Sequence, residues 1–118
     1  MPYIDPKRRP FLLKEPATAQ DPGELNFVIT SYLVENHSGI WNKEDIQRFI
    51  EKYLNLSGRR YRTYNEVIGV LVCVALEWDR RRGDREPVEM LGLILQQMYS
   101  EEIASYEDRK IAENGDVY

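Results

Sequence analysis

Seven consecutive residues, Gly58-Arg59-Arg60-Tyr61-Arg62-Thr63-Tyr64, bring three guanidinium groups and two phenol rings to the expected start of a helix. Arginine forks bind phosphate oxygens in pairs, and a helix N-terminus adds free N–H groups and the positive end of its dipole. Tyrosine rings can stack on a base. Arg59, Arg60, Tyr61, Arg62, Thr63 and Tyr64 are therefore the candidate anion or nucleotide site. The competing reading is a solvated loop whose arginines pair with an acidic surface. At the other end of the same segment, Arg80-Arg81-Arg82 meets the negative end of the helix dipole, which is reason enough for it.

Other chemistry is sparse. His37 is the single histidine and lies in the turn Asn36-His37-Ser38-Gly39, so no Ser-His-Asp or Cys-His arrangement can be assembled from it. The chain has no glycine-rich phosphate loop, dinucleotide fingerprint, HExxH helix or nucleophile elbow. Glu101, Glu102, Glu107 and Asp108 are plentiful acids. The Glu-x-x-His pairs of di-metal bundles are missing, and acids beside Arg109-Lys110 read as surface helix pairs. No enzyme activity, metal or cofactor is expected. Cys73 is the only cysteine, which excludes an internal disulfide or a CxxC site; in Val70-Leu-Val-Cys-Val-Ala-Leu76 it reads as a small apolar filler.

The elements that would position these groups are helices. Residues 1–20 read as an extended, proline-rich arm, because Pro2, Pro6, Pro10 and Pro16 each disfavour helix at the residue before them. Lys7-Arg8-Arg9 makes the arm basic, and Phe11-Leu12-Leu13 then makes it adhesive, for its own domain or for a partner. Asp21-Pro22-Gly23-Glu24 offers an N-cap, a first-turn proline and an acid at the third position. Leu25, Val28, Ile29, Tyr32 and Leu33 follow on one helical face. Asn42 caps a second helix, with Trp41 able to pack on Ile46, and Ile46, Phe49, Ile50, Tyr53 and Leu54 repeat the spacing until Ser57-Gly58 ends it.

Thr63-Tyr64-Asn65-Glu66 reads as the cap of a third helix whose interior, Val67 to Leu76, is apolar almost all round. Such a helix belongs at the centre of a bundle or in a subunit interface, and Gly69 within it suggests close approach of another backbone. A fourth helix opens near Asp84 and Pro87, with Met90, Leu91, Ile94, Leu95, Met98 and Tyr99 as its stripe. Ser105 with Asp108 suggests a fifth, short helix from Tyr106 to Glu113. No stretch alternates as a half-buried strand would.

At 118 residues, 42% hydrophobic and 31% charged, the composition is that of one globular domain able to build a core without staples. A formal net charge of −4 gives no general field for DNA or RNA. No signal-peptide core and no apolar run long enough to span a bilayer is present, so no membrane association and a cytoplasmic location are expected.

The C-terminus, Tyr106-Glu-Asp-Arg-Lys-Ile to Glu113-Asn-Gly-Asp-Val-Tyr118, resembles the closing signature of a family of small phage, prophage and bacterial proteins with no assigned function. Pro22-Gly-Glu-Leu-Asn26 with Ile29-Thr30, and Tyr64-Asn-Glu-Val-Ile-Gly-Val-Leu71, resemble two of its helices. In those relatives a proline precedes the Tyr-Glu-Asp; here Ser105 stands there. The stretch from Trp78 to Gln97 matches the family less well. The resemblance carries no catalytic residue with it. It implies a phage setting, of a bacterial or infected-cell cytoplasm, and with it the idea of an oligomer that sequesters a nucleotide signal of host defence.

The expected architecture is all-α: an extended arm (1–20), a compact bundle of four to five helices (21–104), and a short helix with a docking tail (105–118). Val28, Ile29, Leu33, Ile46, Phe49, Ile50, Val67, Leu71, Val74, Leu91, Ile94 and Leu95 are the expected core. The expected function is that of a non-enzymatic, homo-oligomeric binding protein, most simply a two-fold dimer, with a nucleotide as ligand. The alternative is an adaptor or inhibitor that grips a host or phage protein with arm and tail. Tyr106, Arg109, Val117 and Tyr118 are the expected tail contacts.

Overall fold

The structure, a computed structural model, describes residues 4–36 and 41–115. The turn containing His37 and the tail residues Val117 and Tyr118 lie outside these. The regular structure of the described residues is all helical: α1 (Arg9–Lys14), a 3₁₀ turn (Pro16–Thr18), α2 (Pro22–Glu35), α3 (Lys43–Ser57), α4 (Tyr61–Arg82), α5 (Arg85–Met98) and α6 (Ala104–Asn114). Among them there is no strand, and no helix is long and apolar enough to cross a membrane.

The stripes seen in the sequence close on one another. Val28, Ile29 and Leu33 of α2, Ile46, Phe49 and Ile50 of α3, Val67, Leu71 and Val74 of α4, and Leu91 and Ile94 of α5 are buried in one cluster; Leu95 packs against it half-buried. α4 is the centre, packing against α2, α3 and α5. Asp21 caps α2 by accepting from the Glu24 N–H (2.8 Å), and Asn42 caps α3 by accepting from the Glu44 N–H (2.9 Å). Trp41 ties the two helices by donating its indole N–H to the Leu33 carbonyl (3.0 Å). α4 ends at Gly83, whose φ of 71° lies in the left-handed region. Gly83→Ala should therefore cost about 1 kcal/mol in a chemical denaturation experiment.

Several expectations are corrected. The arm is not extended throughout: Pro10 occupies the first turn of α1, where its missing N–H costs nothing. Its middle seals the bundle, with Ile4, Leu12 and Ala19 buried while Phe11 and Leu13 stay exposed. The capping box at Asp21 is incomplete, because Glu24 accepts from the Gln20 N–H (2.9 Å) and from Arg8 instead of Asp21. α4 starts two residues before Thr63, with Arg60 as its N-cap residue, so Thr63 is inside the first turn and buried. Gly69 faces open space, with nothing within 4 Å of where a Cβ would stand, so no backbone among the described residues approaches it.

Ser105 does not start a separate helix. The backbone stays helical from α5 to α6 through a wider π turn at Tyr99–Ile103, since neither glycine nor proline interrupts residues 93–114. The extra residue of that turn resets the helical phase, and Ile103 and Tyr106 come back onto the bundle.

Candidate functional site

Gly58, with φ 89°, turns the chain out of α3, and the next residues lead directly into α4. That junction decides what the arginine cluster can do. Arg59 does not point to an empty helix terminus. Its guanidinium bridges two elements: it pairs with Glu51 and Asn55 (3.2 Å) of α3 and with Glu102 of the π turn (2.5 Å). Burial alone would pull the Arg59 pKa down, but Glu102, the Tyr64 hydroxyl and Glu51 together hold it above its ordinary value.

Arg62 is held more loosely, by a surface pair within α4, its side chain 89% exposed. It donates to Glu66 (3.1 Å), whose other oxygen accepts from the Tyr53 hydroxyl (2.7 Å). Burial and that carboxylate push the Tyr53 phenol well above its usual range; the phenol, with help from Arg62, holds Glu66 below the carboxylate range. The Tyr53–Glu66 hydrogen bond thus links α3 to α4. Tyr64 is buried and meets Tyr106 of α6 edge to face, with ring centroids 5.7 Å apart. Arg109 and Lys110 lie over the same Tyr106 ring at 5.4 and 5.6 Å. Tyr106 thus touches α4, whereas residues 108–113 of α6 are exposed.

Of the six residues, only Arg60 and Tyr61 are left exposed without a polar or charged partner among the described residues. Beside Arg59, whose partners Glu51 and Glu102 form part of its wall, runs a cleft of about 260 Å³ also lined by Gln47, Gln97 and Glu101, whose acids oppose an incoming anion. Among the described residues no group of three or more His, Cys, Asp or Glu could hold a metal ion.

The larger unexplained feature lies on α4. Gly69, Val72, Cys73 and Leu76 fall at i, i+3, i+4 and i+7 and all face solvent. Leu76 is 65% exposed and Val72 40%. No charged residue lies between Glu66 and Glu77, so this side of the helix has neither cation nor carboxylate. Ile68 and Ala75 of α4 and Val88 and Leu95 of α5 continue the apolar surface half-buried along the seam between these helices. The sequence carries this signal in the run Val67 to Leu76: a helix apolar almost all round leaves part of that surface open to solvent in this bundle.

Another contact was not legible. Arg8 of the arm donates to both carboxylate oxygens of Glu24 (2.9 and 3.1 Å) and to the Thr18 carbonyl (2.9 Å). Burial would raise the Glu24 pKa, yet the Arg8 fork and the Gln20 N–H lower it below its ordinary 4.5. Helical periodicity says nothing about a partner sixteen residues away in a different element.

No curated protein and no solved structure matches this chain. The model of a domain of unknown function, DUF6899, does match, over residues 1–117, and the chain belongs to that family.

Proposed function

We propose that this protein is a non-enzymatic binding protein that works as a homo-oligomer, assembled through the exposed face of α4. The observation that carries the reading is the uncharged stripe Gly69, Val72, Cys73 and Leu76, open to solvent on the central helix of the bundle. Cores of protein interfaces are depleted in charge in the same way, while most of a monomer's surface is not.

The stripe is also self-complementary. An antiparallel two-fold crossing centred between Val72 and Cys73 sets Leu76 of one copy over Gly69 of the other, a knob opposite a hollow. A two-fold interface uses one patch twice, so every such pairing occurs in duplicate. The open space above Gly69, without purpose inside a single chain, then has one.

The nucleotide-sequestering version has narrower support than the sequence suggested. Arg59 and Arg62 would have to leave Glu51, Glu102 and Glu66 to hold a phosphate, which leaves Arg60, Tyr61 and the first N–H groups of α4 as its basis. The phage setting rests on the resemblance of the C-terminal signature alone. The adaptor reading draws on Phe11 and Leu13, which protrude from α1.

Leu76→Glu is the test. It should convert an oligomer to a monomer in sedimentation velocity, because each of the two Leu76–Gly69 pairings would bury an unpaired carboxylate instead of an apolar side chain. Leu56→Glu, an equally exposed position on α3 (66%), should leave the assembly unchanged. If both variants sediment like the wild type, α4 is not the interface.

A further inference from the structure

On the other flank of α4, against α2, lies a cleft of about 410 Å³. Its size is within the range of small-molecule sites, and its walls have the usual make-up of apolar side chains with a few polar groups. Val34, Cys73 and Val74 supply apolar surface, and Thr30, Trp78 and Arg82 supply hydrogen-bonding groups. Two of those groups are unsatisfied. Trp78 is 4% exposed, and its indole N–H is buried with no acceptor among the described residues. Buried donors are nearly always paired, so this orphan in a residue of the cleft wall asks for an acceptor from beyond the described residues.

Arg82 is the other. Its guanidinium lies over the Trp78 ring, 4.9 Å from the centroid, and has no carboxylate partner among the described residues. Every other charge of the cleft is spent: Glu77 accepts from both Arg80 and Arg81 (3.1 and 2.9 Å), and Thr30 donates to Asn26 (3.1 Å). The cleft thus combines an apolar floor with one uncompensated cation and one unpaired N–H.

We propose that this cleft binds a small apolar monocarboxylate, a ring-sized hydrocarbon body whose anionic head supplies the acceptors that Arg82 and Trp78 lack. The body covers Val34, Val74 and the Cys73 side chain; the carboxylate pairs with Arg82. A dianion or a nucleoside polyphosphate is disfavoured, since one free guanidinium cannot neutralise it and Glu77 stands beside it. The cleft shares Cys73 with the α4 stripe proposed for self-association, but Leu76 lies outside the cleft and Arg82 outside the stripe, so mutation distinguishes the two.

Isothermal calorimetry with naphthoate, against the matching naphthyl alcohol, tests the proposal. Wild-type protein should bind naphthoate saturably at one site per chain, and the alcohol far more weakly. Arg82→Gln should weaken naphthoate binding about tenfold to a hundredfold, the worth of one hydrogen bond to a charged group. Thr30→Trp, which fills the cleft, should abolish binding, and Leu76→Glu should leave the affinity as it is. Flat traces with wild type, equal affinity for acid and alcohol, or unchanged affinity in Arg82→Gln would each overturn it. An affinity lost in Leu76→Glu but kept in Arg82→Gln would place the ligand on the self-association face and overturn it too.

Discussion

Leu71→Ala should lower the free energy of unfolding by about 2–5 kcal/mol, the range for emptying a leucine site in a packed core. Leu71 is 1% exposed on the helix that α2, α3 and α5 all pack against, so no single neighbour can collapse into the space. Urea denaturation should show the midpoint falling with the slope unchanged. A loss of a few tenths of a kcal/mol would mean that α4 is not the centre of the bundle. Leu76→Ala, five residues on but exposed, should change monomer stability little, and the contrast between the two separates core from surface on one helix.

Arg8→Ala should cost about 2–3 kcal/mol, because it strands a carboxylate that is largely out of water. The Glu24 side chain is 11% exposed, and without Arg8 it keeps only the Gln20 N–H as partner of those described above. The arm should loosen with it, since the Thr18 carbonyl loses its donor as well. The same pair sets an acid dependence. Glu24 has a lower pKa folded than unfolded, so its ionised form favours the folded state. That stabilisation is complete above the ordinary carboxylate value and is lost as pH falls through the lowered folded value. Glu24→Gln should flatten this part of the stability profile below pH about 4.5; an unchanged acid limb would mean that other carboxylates produce it.

Much of the fold was legible because the three middle helices are written in repeated grammar: a cap, a stripe, a stop. Asp21 with Leu25 to Leu33, and Asn42 with Ile46 to Leu54, locate α2 and α3 closely. Helix starts failed where tertiary contact outweighed capping. Thr63 looks like an N-cap, but its burial inside the first turn of α4 moves the start back to Arg60. Ser105 looks like another, but a π turn costs less there than breaking a helix that has no glycine or proline.

The candidate site was half legible. Composition located the arginines, but not the acids that would neutralise them, because Glu51 and Glu102 come from elements before and after in the chain. Gly69 suggests a close-approaching backbone, and none among the described residues comes near it, which leaves a second chain as the backbone that would fit. Trp78 and Arg82 gave no sequence signal as a ligand site, since a tryptophan on a core stripe and an arginine in a last helical turn are both fully explained locally.

The central claim is self-association, and sedimentation velocity of the wild-type protein from low to high micromolar concentration tests it most directly. The account predicts a species of at least two chains that dissociates on dilution or on mutation of Leu76. A single boundary with the mass of one 13.9 kDa chain at every concentration would contradict it.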